Sequence, residues 1–316
     1  MKLGLFTELF SEKTFEETLD YAVLNGIQAV EISTGGWSGN KHCNPDELLK
    51  DQEKLKVFKE AVETRGLTIS ALNCYGNALH PQSDIMKEFY DTFYKTIQLA
   101  QKLGVSYVNT FSGCPGDSEN AKYPNWPVTP WPSDFEEILE WQWEEKVIPY
   151  WIEMGKIAFS HGIKIAIEMC GGFSVHSPGS LLKLRERVND VVKSEVIGAN
   201  FNPAHLWWQG IDPVQAVRIL GSVGAIYHFH GRDISMDQNN IDRWGINDTQ
   251  PFSQEVDRAW RFSTIGFGHD LKDWKDMISM LRLYKYDHVI SIGYQDALIS
   301  NEAGFNKAVH NLKQIM

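Results

Sequence analysis

The stretch "LDYAVLNGIQAVEIS", residues 19–33, decides the fold because its pattern recurs along the chain. An amphipathic helix ends at a glycine, and a short apolar run follows. Further copies are "FKEAVETRGLTISALN" (58–73), "IQLAQKLGVSYVNTFS" (97–112) and "GKIAFSHGIKIAIEM" (155–169). A glycine suits the left-handed position that ends a helix, and short apolar runs are typical of strands buried on both faces. The repeat therefore predicts helices that alternate with parallel strands.

The complete alternation predicts eight strands, near residues 3, 29, 68, 106, 164, 197, 226 and 288. Eight strand–helix units in 316 residues indicate a closed (β/α)8 barrel, the TIM barrel. We expect one α/β domain over residues 1–316. The alternative is an open doubly wound sheet, but no GxGxxG motif follows the first strand, which disfavours a dinucleotide site.

Composition restricts the partners and the compartment. The formal net charge of −11 disfavours binding to nucleic acid or to an anionic membrane, since both select for clustered Lys and Arg. The four cysteines form no CxxC pair, which is typical of a reduced, cytoplasmic protein. We see no targeting segment and no window of about 20 apolar residues. The sequence thus predicts a cytoplasmic protein with neither nucleic acid nor membrane as partner.

Two connections are long enough to have a function. Residues 112–135 contain five prolines together with Trp126 and Trp131, and residues 231–262 contain Trp244 and Trp260. Both follow strands, so both are predicted on the C-terminal face, where barrel enzymes place their sites. Long connections in a compact domain are usually lids or binding loops. Their aromatic rings would suit the faces of a sugar or the surface of a partner chain.

Polar residues end several predicted strands on the inward face, with His205 just beyond the sixth strand and Gly293 on the same face of the eighth: Glu31, Asn73, Glu168, Asn202, His228, His230, Arg232, Ser291 and Gln295. Parallel strands bring these ends together. Glu168 and His230, with amide oxygens from Asn202 and Gln295, are predicted ligands of Mn²⁺ or Mg²⁺. Since neutral amides hold a divalent cation less tightly than carboxylates, metal binding is expected to be weak or absent. Glu168 or a neighbouring histidine would move a proton.

Several motifs resemble one family. "AIEM", "NFNPAHLWWQGIDPV", "YHFHGRD", "FSGCPGD" and the segment "STIGFGHDLKDWKDMISMLRLYKYDHVISIGYQDALIS" are similar to the sugar phosphate isomerase/epimerase family of xylose-isomerase-like barrels. The resemblance implies metal ligands after strands five to eight, which match Glu168, Asn202, His230 and Gly293. Asn202 stands where the family has Asp, and Gly293 where it has Glu, so two usual ligands are replaced. The resemblance also implies that His205 contacts the substrate.

The resemblance implies an enzyme that acts on a sugar or keto-sugar through an enolate-like intermediate, as an isomerase or epimerase, with or without metal assistance. We predict Glu168, His205 and Arg232 as its catalytic residues. Loss of the carboxylate at Gly293 argues against a symmetrical two-base epimerisation. One alternative is a lyase or deglycosidase that acts on oxidised glycosides, with or without a small partner subunit.

A second alternative is a sugar- or partner-binding barrel that has lost its metal site and catalysis. A third, a phosphodiesterase acting on abasic DNA, is disfavoured by the net charge of −11. We expect a small-molecule carbohydrate as the ligand, and either a homo-oligomer or a complex with a small partner subunit.

Overall fold

The predicted strands form a closed barrel whose neighbouring strands are all parallel, as seen in a computed structural model that describes residues 1–293 and 296–316. The barrel strands are β1 (Lys2–Phe6), β2 (Ala29–Gly36), β3 (Thr68–Tyr75), β4 (Tyr107–Phe111), β5 (Lys164–Glu168), β6 (Ile197–Phe201), β7 (Ile226–Gly231) and β10 (Val289–Ile292). Between β7 and β10, two short strands pair antiparallel, β8 (Asp233–Met236) and β9 (Trp260–Ser263), and we call this pair the hairpin although residues 237–259 lie between its strands. The strand order around the barrel is β1-β10-β7-β6-β5-β4-β3-β2. The predicted single-domain TIM barrel is thus confirmed.

The helices surround the barrel, and many connect successive strands. They are α1 (Phe15–Leu24), α2 (Pro45–Leu48), α3 (Gln52–Glu63), α4 (Ser83–Leu103), α5 (Ser133–Trp141), α6 (Ile148–Ser160), α7 (Pro178–Val192), α8 (Pro203–Trp207), α9 (Pro213–Gly221), α10 (Gln238–Trp244), α11 (Leu271–Leu283) and α12 (Asn301–Ile315). Short 3-10 segments span Thr7–Phe10 and Glu255–Asp257, and a π-helical turn spans Gln142–Val147. None of the described helices has the length and apolar character needed to cross a bilayer.

The glycine in each copy of the repeat does what the pattern predicts. Gly26, Gly66, Gly104 and Gly162 have φ angles of 72°, 70°, 75° and 71°. These angles lie in the left-handed region, where a side chain would be strained. The apolar residue after each glycine turns back onto the helix end, so the chain enters the next strand in a fixed direction.

The second long connection is more ordered than the sequence suggests. Residues 231–262, predicted as a loop, contain β8 and β9, which pair antiparallel, and the helix α10. The buried carboxylate of Asp233 holds the base of this hairpin, since it accepts hydrogen bonds from Trp274 Nε1 at 3.1 Å and from His269 Nδ1 at 2.8 Å. The connection over residues 112–135 is irregular up to Pro132, and α5 begins at Ser133.

The barrel is apolar outside and polar within its C-terminal half. Outward-facing residues such as Leu72, Ile167 and Phe229 belong to one core with the surrounding helices. Burial of each such side chain contributes about 1.5–3 kcal/mol to folding. Several ionisable or amide side chains inside the barrel have no exposed surface: Glu31, Asn73, Asn109, Glu168, Asn200, Asn202, His228 and His230. Because an unpaired buried polar group is costly, nearly all polar atoms of these side chains have a hydrogen-bond partner; Asn109 Oδ1 is the exception.

Candidate active site

Glu168, the last residue of β5, is enclosed by hydrogen-bond donors. Its Oε2 accepts from Asn200 Nδ2 at 2.7 Å and from the Tyr75 hydroxyl. Its Oε1 accepts from Asn202 Nδ2 at 2.9 Å. Burial would raise the pKa of Glu168, but the neighbouring His230 and His205 hold it well below its usual range. The side chain is therefore a carboxylate at neutral pH.

His230, on β7, lies between two carboxylates. Its Nδ1 is 2.9 Å from Glu168 Oε2, and its Nε2 is 2.6 Å from Glu31 Oε2. Burial would lower the pKa of His230, but Glu31 and Glu168 raise it to about 9. Burial would likewise raise the pKa of Glu31, whereas His230 and His228 lower it to about 2. At neutral pH the three groups form a buried carboxylate–imidazolium–carboxylate chain.

The far end of this chain is fixed by amides. Glu31 Oε1 accepts from Asn73 Nδ2 and from Asn109 Nδ2, both at 2.8 Å. His228 lies beside it, with Nε2 3.9 Å from Glu31 Oε2 and Nδ1 3.1 Å from Asn200 Oδ1. Burial lowers the pKa of His228 to about 3, with help from the positive charge of His230. His228 is therefore neutral where His230 is charged.

His205, in the short helix α8, connects Glu168 to the exterior of the barrel. Its Nε2 lies 3.2 Å from Glu168 Oε1. On the other side of the ring, Nδ1 is 3.5 Å from Cys170 Sγ and 3.3 Å from Trp208 Nε1. Burial would lower the pKa of His205, but Cys170 and Glu168 raise it above its usual value. The imidazole is thus more basic than a free histidine.

A cavity of about 620 Å³ opens above His205. Its walls contain several aromatic rings and come from both long connections, from the segment after β5 and from α8 with the residue after it. They include Trp126, Cys170, Gly171, His205, Trp208, Thr249, Phe252, Arg258, Trp260 and Phe262. Trp208 and Trp260 stack with ring centroids 5.1 Å apart. The Arg258 guanidinium lies 4.0 Å from the ring centre of Phe252 and fixes the opposite wall. The cavity therefore joins an apolar binding space to an ionised interior.

The structure brings the three predicted catalytic residues to one end of the barrel. Glu168 and His205 are in direct contact. Arg232 is half-buried, donates from Nε to the Gly293 carbonyl oxygen at 2.9 Å, and lies 5.7 Å from the ring centre of the cavity residue Phe262. Glu168 itself has no exposed surface, so His205 is the member of the pair that lines the cavity.

Among the described residues, the predicted metal ligands Glu168, Asn202 and His230 bind one another and do not present free atoms for a divalent cation. Asn202 presents its N–H group to Glu168, and its oxygen accepts the Ala204 N–H at 3.1 Å as the cap of α8. His230 Nδ1 is already 2.9 Å from Glu168, and Gly293 has no side chain. The fourth predicted ligand, Gln295, lies outside the described residues. A carboxylate surrounded by N–H and O–H donors offers a cation few free lone pairs.

A second set of metal-compatible atoms lies deeper in the barrel. One atom each of Glu31, His228 and His230 lies within 4.8 Å of the others, and all three residues are buried. These residue types could bind a metal such as zinc. The proton between His230 and Glu31 would first have to leave, because both ligands bind in their deprotonated forms.

Three contacts of Glu168 and Glu31 are missing from the sequence-based prediction. Tyr75, Asn200 and Asn109 all donate to these carboxylates. Alternation along a strand could have found the first two, because Tyr75 shares a face of β3 with Asn73, and Asn200 is two residues before Asn202. Asn109 lies in the middle of "YVNTF", where a polar residue inside an apolar strand is the available signal.

The comparisons with known proteins agree with this architecture. Residues 19–315 match the family described as "Xylose isomerase-like TIM barrel", and the chain belongs to that family. It is 39% identical over 317 residues to the protein YfiH of Bacillus subtilis (strain 168), with 99% of each chain covered.

Solved structures share the fold at low sequence identity. The IolI protein, solved with a binding zinc atom, has a TM-score of 0.67 and 18% identity, covering 100% of this chain and 98% of its own. A D-tagatose 3-epimerase-like protein has a TM-score of 0.65 and 19% identity, with 100% and 98% covered. The probable 3-DHS dehydratase AsbF from Bacillus anthracis has a TM-score of 0.66 and 16% identity, with 99% of each covered. At these identities the likeness shows that the chain shares the barrel fold of these proteins.

Proposed function

We propose that the protein is an enzyme that moves a proton next to the carbonyl group of a sugar or keto-sugar, through an enolate-like intermediate. The contact between Glu168 Oε1 and His205 Nε2, 3.2 Å apart, carries this proposal. It joins a fully buried carboxylate to an imidazole that lines the cavity. General acid–base catalysis commonly uses a basic side chain that is held in place by a carboxylate.

In the proposed reaction His205 is the residue that exchanges the proton. In its neutral form the imidazole accepts the proton from the carbon next to the carbonyl, and Glu168 stabilises the imidazolium that forms. Arg232, beside the cavity wall at Phe262, supplies positive charge for the developing enolate oxygen. The hydroxyl proton on the second oxygen of the intermediate then moves to the first oxygen, and His205 returns its proton to the former carbonyl carbon. These two transfers complete an isomerisation in which a single residue exchanges the proton at carbon.

This assignment favours isomerisation over a two-base epimerisation. An epimerase needs proton-transfer groups on both faces of the substrate, and Gly293 provides none on the side of β10. The proposal needs no metal at Glu168, and no step is assigned to one. The group formed by Glu31, His228 and His230 is the place where a metal would bind if the protein holds one.

The aromatic cavity favours a second candidate, a lyase or deglycosidase that acts on oxidised glycosides. Trp126, Trp208, Trp260 and Phe262 leave room for a hydrophobic group attached to the sugar. The same imidazolium would then protonate a leaving group after the carbon–hydrogen bond breaks. A partner subunit, or a second copy of the chain, could cover the cavity; both stay predictions.

The test is proton exchange at carbon. The protein is incubated in deuterium oxide with a panel of keto-sugars and aldoses, and with aryl glycosides oxidised at one ring hydroxyl, and deuterium is followed by NMR. We expect exchange with at least one substrate, and a loss of about 100-fold or more in His205→Gln. Glu168→Gln should also lose activity. Full activity in His205→Gln would overturn the assignment, and no exchange with any substrate would favour a binding protein.

A further inference from the structure

The four cysteines differ sharply in their surroundings. Cys43, Cys74 and Cys114 are 1%, 2% and 3% exposed. Burial raises the pKa of each of these thiols, to about 12 for Cys74 and for Cys114. Cys170 is instead partly exposed and lines the aromatic cavity. A reagent that enters the cavity therefore meets one cysteine, and the other three are protected from it.

Cys170 lies against a histidine whose other nitrogen is held by a carboxylate. Its Sγ is 3.5 Å from His205 Nδ1, and His205 Nε2 is 3.2 Å from Glu168 Oε1. The indole N–H of Trp208, which can only donate, also points at Nδ1, at 3.3 Å. In the neutral form of His205, the lone pair is therefore on Nδ1 and the proton is on Nε2, which faces Glu168. The thiol proton of Cys170 has a basic acceptor beside it.

A thiol, a base and a carboxylate that orients the base are the three parts of an activated nucleophile. We propose that Cys170 is a nucleophilic residue that adds to the carbonyl carbon of a ligand in the aromatic cavity and forms a reversible hemithioacetal. The addition and the proton transfer at carbon proposed above both use the lone pair of His205 Nδ1, so they cannot occur at the same time. The addition does not depend on the proposed function being correct.

The step balances without any other reactant. His205 Nδ1 takes the proton from Cys170 while a carbon–sulfur bond forms and the carbonyl π electrons move to the oxygen. The imidazolium, stabilised by Glu168, then gives its proton to that oxygen. Nothing is oxidised or reduced, and the reverse sequence releases the ligand. The addition would hold a carbonyl compound at a fixed distance from His205.

The first experiment measures alkylation of the native full-length protein by iodoacetamide at neutral pH, followed by intact mass and peptide mapping. We expect one added group, on Cys170, at a rate about ten-fold above that of the thiols of the same chain unfolded in guanidinium. Partial burial of Cys170 can only lower its rate of alkylation. A native Cys170 that is alkylated faster than the unfolded thiols is therefore explained by activation of the thiol. A slower Cys170, or labelling spread over the buried cysteines, would overturn the proposal.

A matched pair of variants identifies the base. His205→Gln should slow alkylation of Cys170 by about ten-fold or more. His176→Gln is the control, because this half-buried histidine contacts Trp126, with ring centroids 5.6 Å apart, and should leave the rate unchanged. Equal rates in the native protein and His205→Gln would contradict the role of His205. The comparison with the unfolded chain still decides the proposal if His205→Gln does not fold.

The second experiment uses glycolaldehyde as the carbonyl probe and ethylene glycol as a control of similar size without a carbonyl. We expect glycolaldehyde to protect Cys170 from iodoacetamide, with full reactivity restored on dilution, and ethylene glycol to give no protection. Equal protection by the two compounds would mean simple occlusion of the cavity and would refute the covalent step. Absence of protection by glycolaldehyde would refute it as well.

Discussion

Asn202 turns its amide nitrogen toward Glu168, with 2.9 Å between Nδ2 and Oε1. Its oxygen is occupied, because Oδ1 accepts the Ala204 N–H at the start of α8. An aspartate at this position would preserve the helix cap but would place a second carboxylate against Glu168. The identity of this one side chain therefore determines whether Glu168 Oε1 receives a hydrogen bond or faces a second carboxylate whose charge needs a cation.

Asn202→Asp should destabilise the protein by an amount on the order of 3 kcal/mol, since it brings two buried carboxylates together. Chemical denaturation measures the change. Addition of Mn²⁺ should recover part of the loss in Asn202→Asp and have no effect at this site in the natural sequence. Elemental analysis of both proteins checks the metal content directly.

Asn44→Asp is the matched control. Asn44 also caps a helix, accepting from the Asp46 N–H at 3.0 Å, and also donates from Nδ2 to a glutamate, Glu47, at 3.1 Å. That pair is exposed, so the same substitution should cost less than about 1 kcal/mol. Similar losses at the two positions would show that burial of the Glu168 pair has no special role.

The free energy of unfolding should depend on pH through the three contacting ionised groups Glu31, His230 and Glu168. The pKa of His230 is raised to about 9, so its contribution is complete below its usual value of 6.5 and is lost as pH rises toward 9. The shift corresponds to an amount on the order of 3 kcal/mol. The pKa of Glu31 is lowered to about 2, so its contribution is present above 4.5 and is lost as pH falls toward 2.

Guanidinium unfolding at a series of pH values measures both changes. His230→Gln should be less stable than the natural protein at neutral pH. Its free energy of unfolding should also fall less between pH 6.5 and 9, because the part of the fall caused by titration of this histidine is absent. The exposed His310→Gln is the control and should follow the natural protein. An unaltered alkaline slope in His230→Gln would argue against a charged imidazole between the two carboxylates.

Gly171 is expected to be required for the cavity wall. A Cβ atom there would lie 2.1 Å from Trp208 Cη2, so Gly171→Ala must displace the indole that contacts His205. We expect a loss of about 1–3 kcal/mol and a changed tryptophan fluorescence spectrum. Gly179→Ala is the comparison: the nearest atom to its Cβ, Ser177 Oγ, is 3.9 Å away, so little should change.

Asp233 should contribute strongly to stability because it anchors the hairpin. Its two oxygens accept hydrogen bonds from His269, Trp274 and several backbone N–H groups. Asp233→Asn would turn an N–H group toward these donors, with an expected cost of about 3 kcal/mol. Asp237→Asn should cost little, since Asp237 caps α10 and asparagine is an equally good cap. Thermal unfolding of the two variants decides whether Asp233 has this role.

The sequence predicts the barrel well because its signals are local. Each glycine-terminated helix and the strand after it lie within about 15 residues, so helix and strand are visible in one window. The hairpin of β8 and β9 is different. Its strands, "DISM" and "WRFS", have four residues each and are separated by α10, so nothing local indicates that they pair.

In the candidate site, too, some features can be predicted from the sequence and others cannot. Glu168, Asn202 and His230 end parallel strands, and the geometry of a barrel brings such ends together. The contact between Cys170 and His205 lies beyond the strand ends, where alternation no longer fixes the direction of a side chain. Whether Asn202 presents oxygen or nitrogen also depends on its partners, here the Ala204 N–H and Glu168.

The residues that line the cavity and the buried ionised residues lie in different parts of the structure. The cavity walls come mainly from segments outside the barrel, whereas the ionised chain ends inside it, and His205 touches both. Substitutions in the segment 247–262 can therefore change which ligand is accepted without disturbing the buried charges. Within a lineage, ligand preference could drift quickly while the interior stays constant. The same division offers a route to redesign, in which wall segments are exchanged between homologous barrels.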